Sequence, residues 1–99
     1  MKEYFISSIN WMPREKGGRE KIPPKGTRYC PMIRLCNNAK SEDWSIDFIC
    51  PDFEKTDIIK FKFLVDDAPK GGVEIDKRYA IYEGNRLVAN IKILKIISH

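Results

Sequence analysis

The chain has 99 residues, 42% of them hydrophobic, 32% charged and 11% aromatic, which is the composition of one small globular domain rather than a disordered or fibrous chain. No apolar run approaches the roughly 18 residues of a bilayer span, and Met1–Phe5, with Glu3 and no apolar stretch, does not read as a secretory signal, so the expected compartment is the cytoplasm. The net charge of +4 suits RNA or an acidic partner without requiring either.

Residues 3–12 (EYFISSINWM) are rich in β-branched and aromatic types and read as a first strand. A long loop follows, marked by Pro13, Gly17-Gly18, Pro23-Pro24 and Gly26. Between Pro13 and Arg28 lie Arg14, Lys16, Arg19, Lys21, Lys25 and Arg28, opposed only by Glu15 and Glu20, so this segment carries an excess equal to that of the whole chain. Tyr29–Leu35 reads as a second strand closed by Asn37-Asn38, and Lys40–Asp43 has room for one helical turn. From Trp44 to Cys50 the pattern alternates, with Trp44, Ile46, Phe48 and Cys50 on one face and Ser45 and Asp47 on the other. Ile58–Val65 alternates again, placing Ile59, Phe61, Phe63 and Val65 inward and Lys60 and Lys62 toward water, before a loop over residues 66–72. Arg78–Glu83 and Arg86–Ile97 form a last pair around Gly84-Asn85, a strong hairpin signal. In the final strand Leu87, Ala89, Ile91 and Ile93 share a face.

Six strands with no space for crossover helices predict an all-β, antiparallel fold in one domain spanning residues 1–99. A closed barrel is favoured over a sandwich because closure removes the edges that such apolar strands would expose. Cys30, Cys36 and Cys50 match no metal-ligand spacing and read as small buried hydrophobes. The lone histidine is the last residue, His99, and the acidic pairs Glu42-Asp43 and Asp66-Asp67 fall in expected loops. No catalytic site, cofactor or metal is therefore expected. The basic loop is the candidate interface, since clustered lysines and arginines neutralise phosphates, and Tyr29 beside it offers a stacking surface. The alternative is a loop charged only for solubility.

The order of these pieces resembles the third, C-terminal domain of elongation factor Tu. The specific stretch is residues 79–97, YAIYEGNRLVANIKILKII, similar to that family's FAIREGGR turn and the strand after it; Tyr79, Ala80, Ile81, Glu83, Gly84, Arg86, Val88, Lys95 and Ile96 match in place or in kind. Residues 16–19, KGGR, resemble the family's EGGR, and Gly26–Leu35 resembles its glycine-tyrosine-arginine-proline-glutamine strand with a short insertion after Gly26. The resemblance implies a six-stranded antiparallel closed barrel. It also implies contacts with the backbone of aminoacyl-tRNA, with a GTPase domain and with an exchange factor. Arg19, Glu83 and Gly84 stand where the family approaches the tRNA backbone, and Arg86 follows the turn as the family's arginine does. Tyr82, Asn85, Met32 and Cys30 replace the family's arginine, second glycine, glutamine and arginine, and Ala89-Asn90 replaces a glycine-alanine pair. The chain contains no GxxxxGK[ST] loop, so these 99 residues are expected not to hydrolyse GTP. Two readings follow: a module that binds structured RNA such as tRNA through the basic loop and the Glu83–Arg86 turn, or a protein-interaction module that docks on a translation GTPase or another partner. Neither involves a membrane.

Overall fold

A computed structural model describes residues 3–13, 15, 17, 21–37, 40–65, 67–68 and 72–98. The described residues form seven strands: β1 (Glu3–Trp11), β2 (Arg28–Tyr29), β3 (Met32–Asn37), β4 (Lys40–Ile49), β5 (Ile58–Phe63), β6 (Arg78–Glu83) and β7 (Arg86–Ser98). All pairings are antiparallel, and β4-β3-β6-β7-β1-β5 closes on itself through the β4–β5 contact. The result is a six-stranded barrel with one additional strand.

That extra strand has a chemical cause. β2 and β3 pair with β4 in one unbroken register, from Arg28↔Ile49 to Asn37↔Lys40. Between them stands Pro31, which has no N–H to give to the ladder. Its carbonyl still accepts from the Ile46 N–H at 2.9 Å, and Thr27 and Gly26 extend the same ladder onto Cys50 at 2.8 Å each. Residues 26–50 are thus one long hairpin interrupted by a proline. Lys40–Asp43, expected to allow a helical turn, is instead the first part of β4; Asp43 lies directly across from Arg34, and their side chains form a two-pronged ion pair.

The barrel is two arcs joined by narrow seams. One arc is the 26–50 hairpin, and the other is the four-stranded sheet β6-β7-β1-β5. The seams hold only Ile46↔Phe63 and Asp47↔Lys62 on one side, and Met32↔Tyr82 and Ile33↔Ile81 on the other. The Leu64 N–H reinforces the first seam by reaching the Ser45 carbonyl at 3.0 Å.

The interior follows the two-residue alternation. Phe5, Ile33, Ile46, Phe61, Ile81, Val88, Ala89 and Ile93 are fully buried. Phe5 stacks on Phe61 and meets Phe63 edge-on toward the end where β1 begins. Trp11, Tyr29, Phe48 and Phe53 form a second aromatic cluster at the opposite end.

Two bulges correct the alternation expected for β7. The β6–β7 register slips by one residue at Val88, so Val88 and Ala89 are both buried and Leu87 is only half-buried. The β1–β7 register slips at Leu94, which is left exposed. Val65 also departs from expectation: β5 ends at Phe63, and Val65 is exposed. Of the cysteines, only Cys50 is buried; Cys30 and Cys36 lie on the outer face of the hairpin and are exposed.

Candidate nucleic-acid interface

Antiparallel pairing throughout puts the two ends of the 12–27 connection, and the connections 50–57 and 84–85, at one end of the barrel. The basic loop and the Glu83–Arg86 turn, far apart in sequence, are therefore neighbours. Two contacts fix them together. The Met12 N–H donates to the Val88 carbonyl at 2.8 Å, tying the start of the loop to β7. The Tyr29 hydroxyl, just past the loop's other end, donates to the Glu83 carboxylate.

Of the residues singled out in the sequence, Lys21, Lys25, Arg28, Glu83, Gly84 and Arg86 all lie at this end. Arg14, Lys16 and Arg19 lie outside the described residues, as do Asn38, Asp66 and His99. Lys21, Lys25 and Arg86 are exposed. Gly84 turns the β6–β7 hairpin with φ +59, and nothing stands within 4 Å of where a side chain would project. Positive φ at the first central residue, without it at Asn85, is the type II′ pattern that matches strand twist. The open space around Gly84 leaves its backbone accessible to close approach by another molecule.

Tyr29 is not the stacking surface expected of it. It points into the barrel, is 9% exposed, and sits between Trp11 and Phe48. Alternation decides this: Arg28 faces outward, so Tyr29 faces inward. Its function here is to brace the hairpin through Glu83.

Arg28 lies on the outer wall beside this end. Its Nε and Nη2 meet the two oxygens of Asp47 at 2.9 and 3.1 Å. The Arg28 side chain is 62% exposed while that of Asp47 is only 10% exposed. The guanidinium holds the Asp47 carboxyl below the usual aspartate range against the opposing effect of burial, and the Cys30 thiol and Lys62 add to the lowering. Partial desolvation beside the hairpin, and then the Asp47 charge, push the Cys30 thiol upward, and the thiol donates to Asp47 Oδ1 at 3.6 Å. Arg28 has donors left over for an outside anion. Further along the hairpin, Arg34 lowers the Asp43 carboxyl in the same way, and its guanidinium lies 3.9 Å from the centre of the Tyr82 ring.

Acids share this end of the barrel. Asp52, Glu54 and Asp57 occupy the 50–57 connection with Lys55, and Glu83 is engaged by Tyr29. The end is thus a mixed surface whose basic residues, among those described, include Lys21, Lys25, Arg28 and Arg86.

Beside Arg28, where β4 and β5 diverge past the Asp47↔Lys62 pair, a groove of about 540 Å³ opens on the wall. Tyr4, Asp47, Ile49, Ile58, Lys60 and Lys62 line it with Arg28. Sequence reasoning took Lys60 and Lys62 as solvated positions and did not connect them with Arg28. The alternation signalled their outward direction, but only the pairing of distant strands shows what they adjoin.

Among the described residues, no group of three or more histidine, cysteine, aspartate and glutamate side chains is placed to hold a metal ion. Nor do they include a helix long and apolar enough to cross a membrane. No family model matches the chain, and no curated protein matches it.

Proposed function

We propose that this protein is a non-catalytic binding module, similar to the third domain of elongation factor Tu, that engages structured RNA such as tRNA through one end of its barrel. The observation that supports the reading is the convergence there of Lys21, Lys25 and Arg28, the described basic residues of the loop, with the open Gly84 turn, held together by the Met12–Val88 and Tyr29–Glu83 bonds. Lysine and arginine would neutralise backbone phosphates, and the glycine turn would admit the backbone closely. Neither contact reads base sequence, which suits a folded RNA whose base edges are largely inaccessible.

Filter binding of a tRNA at two salt concentrations tests this. The wild type is expected to bind at low salt and weaken as salt rises, and replacing Lys16, Arg19 and Lys21 together by alanine is expected to lower affinity and flatten the salt dependence by about 2 to 3 in log–log slope. Absence of binding at low salt, or unchanged affinity in the triple variant, rejects the reading.

One observation favours a second reading, a protein-interaction module docking on a translation GTPase or another partner. The groove at the β4–β5 seam exposes Ile49 and Ile58 beside charged residues, the mixture found at protein interfaces. A pull-down with and without nuclease separates the two, because partners that survive nuclease favour protein docking.

A further inference from the structure

The outer faces of β6, β7, β1 and β5 carry a second array of positive charge that no single stretch of sequence reveals. Residues directly opposite one another on paired strands share a face. The registers Arg78↔Lys92, Lys92↔Ser8 and Ser8↔Ile58 make one row across four strands. The registers Lys95↔Ile6 and Ile6↔Lys60 make the next row, and Lys62 follows Lys60 on β5. Lys95 and Lys60 are two strands apart, about 10 Å at the usual strand spacing.

This wall has almost no opposing charge of its own. No aspartate or glutamate occurs in residues 4–11, 58–63 or 87–98. The acids at its margins are Glu3 at the start of β1, Glu83 at the end of β6, engaged by Tyr29, Asp47 across the seam, already held by Arg28, and Asp57 and Asp76, whose backbone groups bond to Ile9 and Ile93. Among the described residues, Lys60, Lys92 and Lys95 form no ion pair. Lys60 is held instead over the Tyr4 ring, 4.5 Å from its centre. That contact fixes the ammonium on the wall and covers the Tyr4 ring, as the Arg34 guanidinium covers the Tyr82 ring on β6, so neither offers a loose base an open face.

We propose that the β6-β7-β1-β5 wall is a phosphate-contact face for the backbone of a double helix, so that a duplex segment of RNA seated on the barrel end continues past Arg28 and the groove onto this wall. The inference rests on the RNA-binding reading above and adds to it the duplex form of the ligand and its path. Charge complementarity selects a polyanion. The Tyr4 and Tyr82 rings, each covered by a cation, favour a duplex over a single strand, which is gripped by stacking.

The test is a salt titration of the full chain with a 16-base-pair RNA duplex and with one of its strands alone. Wild type is compared with K60Q/K95Q and with the charge-matched control K40Q/K77Q, neither of whose lysines stands in the two rows; thermal unfolding confirms that both variants fold. The duplex is expected to bind more tightly than the strand. K60Q/K95Q is expected to reduce the slope of log affinity against log salt by about 1 to 2, two phosphate contacts' worth, and the control to leave it unchanged. An unchanged slope in K60Q/K95Q, an equal loss in the control, or preference for the single strand overturns the wall proposal while leaving binding at the barrel end standing. If the wild type binds neither RNA at low salt, the underlying reading falls and this one with it.

Discussion

The Arg28–Asp47 fork is the individual contact with the clearest pH signature. Asp47 is nearly buried on the outer face of β4, and its carboxylate is tolerated there because a guanidinium and a thiol hydrogen-bond to it. Its folded pKa lies below the ordinary aspartate value, so the pair contributes stability above about pH 4, and that contribution is lost as pH falls toward the depressed value. R28A is therefore expected to lower the urea midpoint at pH 7 and to differ less and less from wild type as pH drops below about 4. Urea titrations of the two proteins at several pH values check this, and a gap independent of pH would show that Asp47 does not depend on Arg28. Arg28 was legible in the sequence as one more charge in a basic loop. That it is half-committed to a structural pair was not, because its partner lies 19 residues away and meets it only through strand pairing.

At the scale of elements, the strands were legible wherever a two-residue alternation met a clear stop. β5 ends near its predicted limit because Ile59, Phe61 and Phe63 alternate with two lysines, and the β6–β7 hairpin was signalled by Gly84-Asn85. The bulges at Val88 and Leu94 were not legible. Each is defined by a partner strand, and an extra residue in one strand leaves no mark in local composition. The Val88 bulge lets two adjacent small side chains fill the core, and Leu87 loses its expected place. The turn itself yields a clean prediction. Gly84 has φ +59 with open space around it, so G84A meets no clash and costs only the positive φ of the type II′ turn, about 1 to 3 kcal/mol. Chemical denaturation measures this directly; a variant as stable as wild type would mean that the turn relaxes to another geometry.

For the molecule as a whole, the Cα radius of gyration of 12.9 Å is that of a compact chain of this length. A closed wall with two thin seams organises what function there is. Closure puts the long loop, the 50–57 connection and the Gly84 turn at one end, while the arc β6-β7-β1-β5 presents lysines from distant parts of the chain as one face. The candidate site in the loop was visible in sequence because its charges are contiguous. The wall was invisible because Arg78, Lys92, Lys95 and Lys60 become neighbours only when the register is known. The measurement that tests the account most directly is an amide chemical-shift titration of the isotope-labelled protein with a duplex RNA. The account predicts the largest changes in residues 21–28 and 83–86, smaller ones around Lys60 and Lys92–Lys95, and none at Lys40–Glu42 at the far end of the hairpin. Changes centred on Lys40–Glu42, or no changes at low salt, would contradict it.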